Sequence, residues 1–427
     1  MDILLSGAIL IDPTTGKDGA ANIHIKDGVI ESVGPQARGG TGTRTVELKG
    51  AVVAPGFIDM HVHLREPGFE YKETIATGTA SAAAGGFTAV CCMPNTSPAV
   101  DDASVVRFIR ERAAAANGGI VDVHPIAAVT RERKGEHLAN LAELAEAGAV
   151  AFTDDGDPVH DAEIMRRALE YAAMFGRPVI QHAQEKSLTR NGVMNEGLVS
   201  TRLGLPGWPA IAEDIMVARD IRLVEYAGGK YHVAHMSTAG SVAQVRAAKQ
   251  KGIAVTSEVT PHHFTLTDEA VSGYDTNTKM NPPLRTRADV EAIKEGLRDG
   301  TVDVIATDHA PHSFDEKQVE FQAAPFGIVG LETAIGLSVT ELVGKNVLTL
   351  YQLVEKMAVN PRNILGLPPA SVQEGARANI TVFDPKAVWT VDIAKFRSKS
   401  KNSPFHGFRL TGKPIGVVNN GREEWVS

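Results

Sequence analysis

The feature that most constrains this chain is an alternation repeated along its middle. Eight apolar, β-rich runs stand at 57–63, 86–94, 120–129, 148–155, 178–183, 231–237, 253–260 and 302–309. Between them lie Ala/Glu/Arg/Leu segments with helical spacing, such as SVVRFIRERAAAA and EIMRRALEYAAMFG. Gly118, Gly148, Gly176 and Gly252 mark helix ends, where a left-handed cap is cheapest for glycine. Strand–helix alternation repeated eight times predicts an α/β fold, parallel βα units closing into a TIM-like (β/α)8 barrel. An open doubly wound sheet is disfavoured, because no Gly-rich phosphate fingerprint follows any strand.

The two ends read differently. ILLSGAILI, NIHI and VIESV at the start are short strands parted by turns, and ANITVFD is another near the finish. Asn420-Gly421 between two runs predicts a hairpin. Neither end has apolar residues enough for its own core, so both are expected to pair into one small β-sandwich domain. The resulting division is 1–55 and 363–427 for that domain, and 56–362 for the barrel.

Composition narrows the classes of function. Of the 427 residues 43% are hydrophobic and 22% charged, ordinary for a globular chain. No apolar run approaches the roughly 18 residues of a membrane span, and MDILLSGAILID lacks the basic start of a signal peptide. A net charge of −8 without a Lys/Arg cluster argues against nucleic acid or anionic membrane as partner. Cys91 and Cys92 are adjacent, form no disulfide framework and read as small packed hydrophobes, which fits a cytoplasmic setting.

A barrel enzyme carries its chemistry at the C-terminal ends of its strands. His61 and His63 end the first run, Asn95 follows the second, and Asp154-Asp155 end the fourth. His182, His235, His262-His263 and the Asp308/His309/His312 group close the fifth to eighth. In His61-Val-His63 the period of two puts both imidazoles on one face, where together they can grip a divalent cation. A lone His-x-His is as often a pair of satisfied polar residues. Four imidazoles and two carboxylates at one barrel mouth are hard to explain without metal. Adjacent acids point to opposite faces, so one of Asp154 and Asp155 reaches the centre, and His262-His263 pose the same choice. His24, His124, His137, His160 and His406 read as packing or surface residues. Arg65, with Asn95 and His312, would make a pocket for a substrate carboxylate; surface pairing of Arg65 with Glu66 or Glu70 is the plainer alternative.

These residues also spell a known pattern. Asp59-Met-His61-Val-His63-Leu-Arg65-Glu66-Pro67-Gly68, followed by CCMPNT at 91–96, resembles the amidohydrolase superfamily and, within it, the dihydroorotase family of the longer bacterial (class I) type. Ala306-Thr-Asp308-His-Ala-Pro-His312-Ser-Phe-Asp-Glu-Lys317 is similar to that family's second signature, and MNPPLR at 280–285 and PFG at 325–327 fit as well. The resemblance implies His61, His63, His182 and His235 as metal ligands, Asp155 as bridging carboxylate, and Asp308 as ligand and catalytic base. It implies substrate contacts from the stretch His63-Leu64-Arg65 and from Asn95, Asn281, His312 and the Phe326-Gly327 backbone. In related hydantoinases and dihydropyrimidinases the bridge is a carboxylated lysine; here FTDDG offers an acid.

The implied reaction is zinc-dependent, reversible closure of N-carbamoyl-L-aspartate to L-dihydroorotate in pyrimidine synthesis, with two zinc ions per chain, or one. A homodimer is expected, and association with aspartate transcarbamoylase is open. The rivals are an allantoinase- or hydantoinase-type enzyme and a non-catalytic partner of the transcarbamoylase. Intact ligand positions argue against the last. The stretch from His312 through Phe326 reads as a loop able to close over the site.

Overall fold

The computed structural model describes residues 1–426. Each of the eight runs supplies a stave of a closed parallel barrel. The staves are Phe57–Val62, Phe87–Cys92, Asp122–Pro125, a position at Phe152, Val179–Gln181, Tyr231–Val233, Val255–Val259 and Val304–Ile305. Each pairs in parallel with the next, and a bridge from Val62 to His309 closes the ring. The fourth stave is cut to one residue by Gly148 before it and Asp154-Asp155-Gly156 after it. It is still bonded on both sides, to Ala127 and to Val179.

The helices follow from local sequence. Ala162–Ala173 is capped by Asp161, which accepts from the amides of Glu163 and Ile164, and it buries Met165, Ala168, Leu169 and Ala172 along one stripe. Inside the barrel Ile58, Met60, Ala89, Cys91, Ala151, Ile180, Ala234, Val304 and Ala306 form an apolar cluster, which Leu365 joins. The helix Asn360–Leu365 therefore runs across the 362/363 division drawn from sequence. Among the described residues no helix is long and apolar enough to cross a membrane.

Both chain ends meet in one eight-stranded sheet. Asp2–Asp12, Lys17–Lys26, Val29–Gly34, Arg44–Glu47 and Val52–Pro55 come from the start, and Ile380–Thr390, Arg409–Asn419 and Arg422–Trp425 from the finish. The junction is antiparallel, with Pro55 opposite Ile380 and Val52 opposite Phe383. Leu5, Ile23, Val53, Ile380 and Val418 contribute to a core cluster separate from that of the barrel. At the final hairpin Asn420 and Gly421 take φ of 52° and 70°, the two positive angles a type I′ turn demands.

Candidate active site

The rim of the barrel gathers the polar side chains. The first stave is irregular between Asp59 and Val62, so Ile58 and Met60 face the inner cluster while His61 also turns inward. The His61 and His63 rings lie 5.5 Å apart, and the His61 and His235 rings 5.1 Å. Asp155 stands among four imidazoles. Its Oδ1 is 3.5 Å from His61 Nε2, 3.6 Å from His182 Nδ1 and 3.5 Å from His235 Nε2, and its Oδ2 is 3.6 Å from His63 Nε2. Asp308 Oδ1 lies 2.9 Å from His63 Nε2 and 3.5 Å from His61 Nε2. The potential ligand atoms of His61, His63 and Asp308 all fall within 4.8 Å of one another, as do those of His61, Asp155 and His235.

These donors fit a cation. His61 Nε2 and Asp155 Oδ1 are buried without a hydrogen-bond partner, an arrangement costly for a polar atom unless something else satisfies it. The far side of each ring fixes which nitrogen faces the centre. His61 donates from Nδ1 to Glu258 Oε1 at 2.5 Å, His63 from Nδ1 to Asn95 Oδ1 at 2.8 Å, and His182 from Nε2 to Gln184 Oε1 at 3.0 Å. Imidazole and carboxylate donors in this number suit a divalent transition metal.

The electrostatics agree. Burial raises the Asp155 and Asp308 carboxyls, but the surrounding imidazoles outweigh it and hold both below the usual carboxylate range, so both are ionised. Burial lowers the His61 imidazole, and Asp155, Glu258 and Asp308 override it and hold it well above its ordinary value. Three rim residues adopt positive φ without being glycine: Arg65 at 62°, His235 at 31° and Asp308 at 48°. Such strain, about 1–3 kcal/mol each, collects at functional sites.

A cavity of about 320 Å³ opens onto this centre. His63, Asp155, His182, His235 and Asp308 line one side, and Arg65, Asn95, Asn281, His312, Phe326 and Gly327 the others. Arg65 donates from Nε to Pro311 O at 3.2 Å and makes no ion pair among the described residues. Burial lowers its guanidinium to about 10, still a cation at neutral pH. His312 is neutral, pushed far down by burial and by Arg65, Lys317 and Lys72; its Nε2 donates to Phe326 O at 2.8 Å. The Leu64 side chain turns away into the core, where it packs over Gly78. Asp154 points outward and accepts from the Thr130 amide at 3.0 Å and from its hydroxyl. His263 is tied to Thr260 Oγ1 and Pro282 O, while His262 Nε2 is buried without a partner.

Sequence reasoning passed over Glu258 and Gln184. Glu258 is a charge inside the apolar run IAVTSEVT, the same signal that marked His182; Gln184 carried none.

Over 100% of this chain the fold matches 97% of an L-hydantoinase (dihydropyrimidinase) from Arthrobacter aurescens, with a TM-score of 0.86 and 23% identity. A dihydropyrimidinase from Brevibacillus agri NCHU1002 matches over 99% of this chain and 95% of its own, with a TM-score of 0.85 and 23% identity. At 23% identity these two matches show a shared fold, a barrel with an appended β domain. A family described as "Dihydro-orotase-like" matches residues 50–241. A dihydroorotase from Pelotomaculum thermopropionicum is 55% identical over 99% of this chain and 98% of its own length. One from Syntrophus aciditrophicus is 51% identical over 99% of both. The chain belongs to the dihydroorotase family.

Proposed function

We propose that this protein interconverts N-carbamoyl-L-aspartate and L-dihydroorotate, the ring-closing step of pyrimidine synthesis. One observation carries the reading: a cationic Arg65, free of any carboxylate partner among the described residues, faces the same cavity as the His/Asp cluster. A buried cation of this kind calls for an anion, and its planar fork suits a carboxylate. A neutral hydantoin would leave it unanswered.

His61, His63, His182, His235, Asp155 and Asp308 would hold the metal, and both oxygens of Asp155 face imidazoles, which suits a bridge between two ions. Divalent ions bound there supply carbonyl polarisation and an acidified water. The chain's own residues do the rest. In the hydrolytic direction Asp308, kept ionised, takes the proton of the attacking water and passes it to the ring nitrogen as the C–N bond breaks. Arg65 and Asn95 fix the substrate carboxylate and so decide which carbonyl is attacked. Asn281 Oδ1, buried without a partner, accepts from a substrate N–H. The reading carries two zinc ions per chain, a cytoplasmic setting and a homodimer. Metal analysis of the native protein and light scattering on a sizing column test the ion count and the dimer.

The deciding experiment follows dihydroorotate absorbance before and after chelation. Activity should vanish on chelation and return with zinc; no turnover with zinc restored overturns the reading.

A further inference from the structure

Two buried lysines stand behind the wall formed by Pro325, Phe326 and Gly327, and the reaction above uses neither. Lys317, the last residue of the second signature, ends the short helix Phe314–Lys317. Its Nζ donates to Thr276 O at 3.0 Å and to Pro325 O at 2.7 Å, and its carbonyl accepts from Thr276 Oγ1 at 2.7 Å. Lys279 approaches from the facing loop. Its Nζ donates to Gln322 O at 2.8 Å and sits 4.6 Å from the Phe326 ring centre, while its carbonyl accepts from Gly327 N at 2.9 Å.

Lys317 is 4% and Lys279 2% exposed. Neither makes an ion pair among the described residues. A buried ammonium with no carboxylate is costly, and an apolar side chain would pack as well. Its presence makes sense through what it holds. A lysine amino group offers two N–H donors when neutral and three when charged, enough either way to tie carbonyls of two separate segments, and the face of Phe326 is a second acceptor for the Lys279 amino group. The held segment also lies tight against Ala310, just past the eighth stave. Gly327 sits at φ 118°, and a Cβ there would meet Ala310 Cβ at 2.6 Å.

We propose that Lys317 and Lys279 are positioning residues that staple Pro325–Gly327 against the cavity, so that its backbone meets the substrate ring in one fixed place. The proposal rests on the dihydroorotase reading. His312 is drawn into the same device through its bond to Phe326 O. Misplacing such a wall by about 1 Å costs on the order of 10²-fold in binding and orientation.

The test compares K317M, K279M and K317R with the wild-type holoenzyme by kcat, KM for dihydroorotate, bound metal and hydrogen exchange of residues 318–327. K317M should raise KM about tenfold or more with kcat within about threefold and metal retained, since only the substrate wall is loosened. K279M should do the same less strongly, both should speed exchange across 318–327, and K317R, which keeps a multidentate cation, should recover part of the KM loss. An unchanged KM, or kcat and metal content falling together, overturns the proposal. If K317M does not fold, K279M decides. If the wild type does not turn over dihydroorotate, the substrate reading fails by itself; exchange then judges the staple, faster in both variants sustaining it and unchanged overturning it.

Discussion

The two ends of the barrel interior are built from the same staves and have opposite characters. Toward the N-terminal end, Ile58, Ala89, Cys91, Ile180 and Val304 pack with Leu365 into a dry plug. Toward the other end the chain places ionised carboxylates and imidazoles whose far nitrogens are already spoken for. Glu258 marks the border: the seventh stave contributes it where most others give the cluster an apolar side chain, and its two oxygens face His61 and His232. A close-packed floor makes a precise rim possible, because a ligand two residues above a rigid layer has little room to wander.

That contrast can be broken from either end. Asp308→Asn removes the base while leaving the floor intact, so kcat should fall by about 10²–10⁴-fold with melting temperature little changed, read by turnover and calorimetry side by side. Leu365→Ala does the reverse: a loss of about 2–5 kcal/mol in urea unfolding, with kcat per folded molecule preserved. Glu258→Gln tests the border and should weaken metal binding by about 10–100-fold in a chelator competition, because the His61 ring loses its charged anchor. The remaining prediction concerns pH. Burial lowers Lys317 to about 7 from an ordinary 10.5, so between those values the unfolded chain holds a proton that the folded chain has released. Stability should therefore rise with pH across that window, and the slope of denaturation midpoint against pH should be shallower in K317M.

What was legible in the sequence follows the same line. Apolar, β-rich runs alternating with helical segments set the staves, and His61, His63, His182 and His235 stood out because imidazoles closed runs that were otherwise apolar. Asp155 needed the family resemblance to part it from Asp154, since two adjacent acids give no phase of their own. The irregularity between Asp59 and Val62 is invisible at that level, because it depends on pairing with the neighbouring stave. Residues on the loops after the seventh and eighth staves, Asn281 and Lys279 among them, carry no periodicity at all. Their placement is a tertiary fact, set by contacts such as Gly327 N to Lys279 O.

The antiparallel seam between Val52–Pro55 and Ile380–Thr390 has a consequence for synthesis. Val52–Pro55 is synthesised before the barrel, yet its partner Ile380–Thr390 is made only after the whole barrel has been translated. Throughout that interval the nascent chain carries an open, apolar sheet edge, the kind of surface that recruits chaperones or aggregates. Folding of this sheet thus waits on Ile380–Thr390, and a ribosome stalled before Ile380 should release a chain that is captured far more readily than the finished one.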